Sequence, residues 1–260
     1  MAEPASLVLA DFPSAGVARL RLNRPDARNA LNTPLRAALA DAFRKLEDDD
    51  SVRCAIVCGG DTYFAAGADL KEIVELGPAD VYRLGVQRFW KVISGFSKPL
   101  IAAVAGPALG GGCELALHAD IIVAAKSARL GQPEVRVGVM PGGGATQRLM
   151  RSVGKYRAMK LMMTGDFVTG EEAFAMGMVS EVVEDSALEE RAVALAIKIA
   201  AQPPMAIRLI KEVSLAGADA PLATGLLLER RCFELLFDTA DQKEGMTAFA
   251  QRRPAEFSGK

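Results

Sequence analysis

The stretch PALGGGCELALHAD, residues 107–120, restricts what this chain can become more than any other. Three consecutive glycines are conformationally costly, and the turn that follows them is apolar nearly all round. A helix beginning near Gly111 or Gly112 must therefore be enclosed by other layers, and it carries one carboxylate, Glu114, into that enclosure. Backbone N–H groups at such a start have no helical partner, and glycine lets a ligand approach them closely. They favour negative charge, so a buried acid beside them is a candidate proton-transfer group. A tight helix–strand turn with Glu114 paired to a basic residue fits the spacing equally well.

The flanking sequence supplies the layers. GVARLRLNRP alternates apolar and polar residues up to Pro25, the pattern of a strand leaving into a loop. NTPLRAALADAFRKLEDDD reads as an amphipathic helix, capped by Asn32 or Thr33 with Pro34 at an early position. VRCAIVCGG and KPLIAAVAG are short buried strands, and PADVYRLGVQRFWKVISGF between them predicts one more helix. Strands alternating with helices imply an α/β layered core. From about residue 186 the pattern becomes helical throughout, with breaks near Pro203, Gly217 and Pro221 and a last short helix in DQKEGMTAFAQRR. The expected division is an α/β core over 1–196 and a helical segment over 197–260.

Composition removes several classes of function. The chain has 260 residues, half of them apolar, and 31 basic against 32 acidic residues leave no electrostatic footprint for nucleic acid or a membrane surface. No apolar run approaches the roughly 18 residues of a membrane span, and the opening MAEPASLVLADFPS has acids where an export signal carries bases. Cys54, Cys58, Cys113 and Cys232 lie in apolar contexts without paired spacing, which reads as reduced thiols in a cytoplasmic protein. With one histidine and no clustered ligands, no metal site is expected. The glycine runs GPALGGGCE and GVMPGGGATQR lack the Lys-Ser/Thr ending of a P-loop and the G-x-G-x-x-G spacing. Cys113 and His118 would stand roughly 140° apart on one helix, too far round to form an activated pair. His118 does share the face of Glu114, four residues before it, although a partly exposed histidine near a helix end is the plainer reading.

Two further stretches are less decided by pattern. In RLGQPEVRVGVMPG, Val135, Val137 and Val139 alternate with Glu134, Arg136 and Gly138, so periodicity predicts a strand with Glu134 on its solvated face. In YFAAGADLKEI, small residues and a glycine separate a core segment from a helix, which suits either close backbone approach or a plain loop.

Taken together, LNRPDARNALN, FAAGADLKE (64–72), KPLIAAVAGPALGGGCELALHADIIVA (98–124), ARLGQPEVRVGVMPGGGATQRL (128–149) and GEEAFAMGMVSEVV (170–183) resemble the enoyl-CoA hydratase/isomerase (crotonase) family along essentially the whole chain. The resemblance implies a crotonase-like spiral of repeated ββα units whose helical C-terminal segment serves trimerisation and pocket cover, in homotrimers that commonly pair into hexamers. It implies an oxyanion hole from the N–H groups of Ala68 and Gly111, and an acyl-CoA site lined by Ala66, Ala68, Asp69, Leu70, Lys71 and Gly111. Lys71 would meet CoA phosphates as a point charge, unless it is simply a solvated lysine at a helix start. The resemblance also implies two catalytic glutamates, and the matching positions hold Glu114 and Glu134. On that ground alone the solvated reading of Glu134 is reversed. The implied activity is hydration of a 2-enoyl-CoA at C2=C3 to 3-hydroxyacyl-CoA, with coenzyme A as part of the substrate and no other cofactor. An isomerase, another acyl-CoA enzyme on the same scaffold, and a non-catalytic relative are the alternatives.

Overall fold

Strands that are apolar at every position need cover on both faces, and CAIVC and LIAAV are buried from end to end. The computed structural model describes residues 6–60 and 62–260; residues 1–5, part of the stretch read for an export signal, lie outside it. In chain order the strands are β1 (Val8–Ser14), β2 (Val17–Leu22), β3 (Cys54–Cys58), β4 (Leu100–Val104), β5 (Pro107–Leu109), β6 (Ile121–Ala125), β7 (Arg129–Gly131), β8 (Phe167–Thr169) and β9 (Glu181–Val183). One sheet has the order β1-β2-β3-β4-β6-β9, parallel throughout except for the β1–β2 pair. A smaller sheet, β5-β7-β8, pairs β5 with β7 in parallel and β7 with β8 antiparallel.

The two-residue period of the strands divides the interior in two. Ala55, Val57, Leu100, Ala102 and Val104 face a core shared with Leu35, Leu39 and Phe43 of the helix Thr33–Asp48. Cys54, Ile56, Cys58, Ile101 and Ala103 face the other way, onto Ala192, Ala196 and Ala200 of the helix Leu188–Ala200. The two strand cysteines therefore pack in one core, and all four thiols are free and buried. Asn32 caps the first helix by accepting from the Leu35 N–H at 3.0 Å, with Pro34 in the first turn.

Two expectations fail locally. The single helix read across 78–96 is two, Pro78–Leu84 and Val86–Ser94, because Gly85 turns left-handed (φ 63°) and re-aims the chain. The strand read around Glu134 is a 3₁₀ turn, Pro133–Val137, opened by its proline and closed by Gly138 at φ 79°. Val135, Val137 and Val139 are exposed there, so their alternation marks no buried face in the single chain.

Three helices, Pro204–Ala218, Leu222–Leu236 and Ala240–Gln251, follow at the C-terminus. The first two form a hairpin in which Gly217 and Gly225 meet backbone to backbone. Between them they bury only Cys232, and Ile210, Leu222, Phe233 and Leu235 are left exposed. Among the described residues no single helix is long and apolar enough to cross a membrane.

Candidate active site

The glycine triplet links two segments. Gly110 sits at φ 49° and ψ −122°, and a Cβ there would stand 2.8 Å from Glu134 Oε1. A Cβ on Gly112 would collide with the carbonyl oxygen of Ala65, so this helix start can press directly against the loop that carries Ala68. Between them, Gly111 opens the helix Gly111–Leu117 with its Cβ position 3.6 Å from the Ala68 nitrogen. The amides of Ala68 and Gly111 thus come together from remote parts of the chain. Neither N–H is donated to an acceptor among the described residues, and Ala68 is exposed.

The loop bearing Ala68 is tied down by LNRPDARNALN. Leu31 N–H donates to the Gly67 carbonyl at 2.7 Å, and Ala66 N–H to that of Arg28 at 3.0 Å. The buried Asn29 side chain donates to the carbonyls of Tyr63 (3.2 Å) and Phe64 (3.1 Å). Arg24 pairs with Asp69 at 2.7 Å, and Asp69 caps the short helix Leu70–Ile73 through the Lys71 N–H at 3.2 Å. Leu70 and Lys71 are exposed beyond that cap, while Ala66 is half-buried behind Ala68.

Glu114 is only 3 % exposed, and among the described residues no basic side chain pairs with it. Its Oε1 accepts from the N–H groups of Gly143 (2.6 Å) and Ala145 (3.1 Å), where the helix Ala145–Val153 begins. Burial raises its pKa, and those backbone donors oppose the rise. Glu134 is half-buried over Gly110, and the buried Gln132 amide, turned with its nitrogen toward it, donates to both oxygens at 3.1 and 3.2 Å. Burial pushes Glu134 up to about 7; its backbone hydrogen bond opposes this, and the charge of Glu114 adds to the rise. The two acids therefore share one partly dry site beside the paired amides.

His118 departs from its expected exposure: it is buried and stacked on Trp90, with centroids 4.9 Å apart. Its Nδ1 lies 2.8 Å from the backbone carbonyl of Glu114, not from the carboxylate. Burial, helped by the charge of Arg148, lowers its pKa to about 4, so it is neutral at pH 7. The enclosed Cys113 thiol is pushed up to about 12, chiefly by burial, and supplies no thiolate. Among the described residues no three His, Cys, Asp or Glu side chains group as a metal site would require.

The profile of the enoyl-CoA hydratase/isomerase family matches residues 13–260. The chain belongs to this family. Among relatives, the 2,3-dehydroadipyl-CoA hydratase of Escherichia coli K12 is 43 % identical over 93 % of this chain and 94 % of its own length. The mitochondrial enoyl-CoA hydratase of Pongo abelii is 43 % identical over 93 % of this chain and 83 % of its own. A crystal structure of an enoyl-CoA hydratase from Bacillus anthracis superposes with a TM-score of 0.94 at 36 % identity, covering 98 % of this chain and 100 % of that one. The architecture is that of the crotonase fold, as the sequence blocks implied.

Within this enoyl-CoA hydratase/isomerase scaffold, several residues at the site escape a reading of the sequence. Gln132 precedes a proline and carries no periodic signal, and Trp90 and Asn29 look like ordinary core and loop residues. The second glycine run, Gly142–Gly144, was visible, but pattern connected it only with nucleotide loops, not with a carboxylate some thirty positions earlier.

Proposed function

We propose that the chain hydrates 2-enoyl-CoA thioesters, with Ala68 and Gly111 N–H gripping the thioester oxygen and Glu114 and Glu134 moving the protons. The observation that carries this reading is the pair of free amides beside two carboxylates of raised pKa. Attack of water at C3 sends electrons through the conjugated system onto the thioester oxygen. Two fixed donors stabilise that enolate without reorganisation, and one such donor is typically worth about 3–4 kcal/mol. Glu114, whose carboxylate form is favoured by two amide donors against the opposing effect of burial, takes the proton from water as the water oxygen bonds to C3. Glu134, near neutrality in pKa, delivers a proton to C2 as the enolate collapses. Proton exchange with solvent then resets both acids.

Ala66, Asp69, Leu70 and Lys71 line the approach and would meet the coenzyme A portion, which arrives as part of the substrate, so the scheme calls on no other cofactor. The exposed apolar faces of the C-terminal helices fit burial between copies of the chain in a homotrimer or a pair of trimers, with residues 1–196 as the core and 197–260 as the associating segment, a division that falls within the last turn of the core helix Leu188–Ala200. Four unpaired buried thiols suit the cytoplasm.

The test is Glu114→Gln and Glu134→Gln with crotonyl-CoA, following loss of enoyl-thioester absorbance and the mass of the product. Each variant is expected to lose at least about 10²-fold in kcat while still binding a saturated acyl-CoA. Wild-type turnover by either variant removes that residue from the scheme, and a product without the added mass of water points to isomerisation instead.

A further inference from the structure

The peptide that joins Gly142 to Gly143 is bonded at both of its polar atoms. Its N–H, on Gly143, donates to Glu114 Oε1 at 2.6 Å. Its carbonyl, on Gly142, accepts from the Gln87 side-chain amide at 3.0 Å. A carbonyl oxygen can only accept, so the nitrogen of the Gln87 amide is the atom that faces it. A hydrogen-bonded chain therefore runs from Gln87 through one peptide unit to the carboxylate proposed as the base. Hydrogen bonds in series polarise one another, each strengthening its neighbour by roughly 10–30 %. Donation into the Gly142 carbonyl makes the Gly143 N–H a better donor toward Glu114 and fixes the plane in which it points.

The fold places Gln87 for this role. Gly85, in its left-handed conformation, ends one helix and caps the next, so Gln87 falls in the first turn of Val86–Ser94. Trp90 follows three positions later on the same side of that helix, and a Cβ on Gly143 would lie 2.5 Å from Trp90 Cε2. One helix thus holds the Gly142–Gly143 peptide twice, with a buried indole against Gly143 and a side-chain amide on the Gly142 carbonyl. Gln87 is exposed, so water can replace its donor, but water is not anchored to the helix and fixes no direction. The ionisable groups around Glu114 act elsewhere. Glu134 faces it from the turn Pro133–Val137, and Cys113 and His118 stand on its own helix. Arg148, on Ala145–Val153, acts on His118, and Lys91 lines the cavity beside Gly143. Among the described residues none of these five hydrogen-bonds to the Gly142–Gly143 peptide.

We infer that Gln87 is a positioning residue for Glu114, acting through the Gly142–Gly143 peptide. This rests on the hydratase reading above and adds to it a residue outside the reacting groups. The test compares wild type with three variants. Gln87→Met removes the donor at similar length, Gln87→Asn keeps the amide one methylene short, and Gln87→Lys restores a donor. Crotonyl-CoA kinetics across pH are read beside an infrared titration of the Glu114 carboxylate, identified by its loss in Glu114→Gln, and beside Tm. High salt screens the charge that lysine adds. Gln87→Met and Gln87→Asn should lower kcat about three- to tenfold and leave KM within about twofold of wild type. Both the ascending limb of the pH profile and the carboxylate titration should move upward by roughly 0.3–0.5 of a pH unit, because the ionised form has lost donor strength. Gln87→Lys should return both readouts most of the way, and Tm should stay within about 2 °C throughout, since the side chain is exposed. A wild type that does not hydrate crotonyl-CoA refutes the hydratase reading, while the carboxylate titration still judges the hydrogen-bonded chain. An unmoved titration in Gln87→Met overturns the inference, as does a Gln87→Lys variant no nearer to wild type than Gln87→Met, or a loss of kcat that follows a loss of Tm.

Discussion

Gly143→Ala tests the geometry of the proposed base with the smallest perturbation available. The new methyl would collide with Glu114 Oε2 and stand 2.5 Å from Trp90 Cε2, where ordinary van der Waals contact begins near 3.4 Å. Relief therefore requires a shift approaching 1 Å. The indole cannot supply it cheaply, because Trp90 is buried, tilted against Phe89 at 4.6 Å and stacked on His118. The Gly143 backbone and the carboxylate must therefore give together, which opens the contact in which the Gly143 N–H holds Glu114 Oε1 at 2.6 Å. Overpacking of this kind typically costs about 1–3 kcal/mol of stability, and a misplacement near 1 Å costs roughly 10²-fold in rate. The expected result is a folded variant with a modestly lowered Tm and kcat on crotonyl-CoA reduced about a hundredfold, with acyl-CoA affinity little changed. Steady-state kinetics and thermal unfolding measured on one preparation decide it. A variant within about threefold of wild-type kcat would refute the claim that Gly143 sets the position of Glu114.

Three other outcomes follow from the same coordinates. The pH profile of kcat/KM should rise as Glu114 ionises, above its ordinary 4.5, and fall above about 7 as Glu134 loses the proton it must donate; a profile flat from about pH 6 to 9 contradicts this, and the apparent values belong to the coupled pair. Because Glu134 holds its proton more tightly folded than unfolded, wild-type stability should fall as pH rises from about 4.5 through about 7 and then level off. Glu134→Gln should therefore melt higher than wild type at pH 8 and lose that advantage at pH 5, and the opposite order would remove burial as the cause. Gly112→Ala drives a methyl into the Ala65 carbonyl, backbone against backbone, and should cost about 3 kcal/mol or more in denaturant unfolding; a variant as stable as wild type would show the two segments to be less tightly apposed.

Much of this molecule was legible along the chain because local physics sufficed. Asn32 and Pro34 mark a helix start through a side-chain acceptor and a preset φ, and CAIVC and LIAAV mark strands covered on both faces because no polar position interrupts them. The glycine triplet announced an uncommon turn, and the lone acid after it announced a buried charge; neither needed a partner to be noticed. Glu134 shows where that logic stops. Its neighbours alternate as a strand would, yet Pro133 and Gly138 bend them into a 3₁₀ turn, and only family resemblance marked the residue. What period could not supply is distance between remote segments: Glu134 over Gly110, Gly143 against Glu114, Ala68 beside Gly111. A carboxylate becomes an acid of pKa about 7 through the walls that remove its water, and those walls are built from residues far apart in the chain, brought together only when both faces of the sheet have been packed.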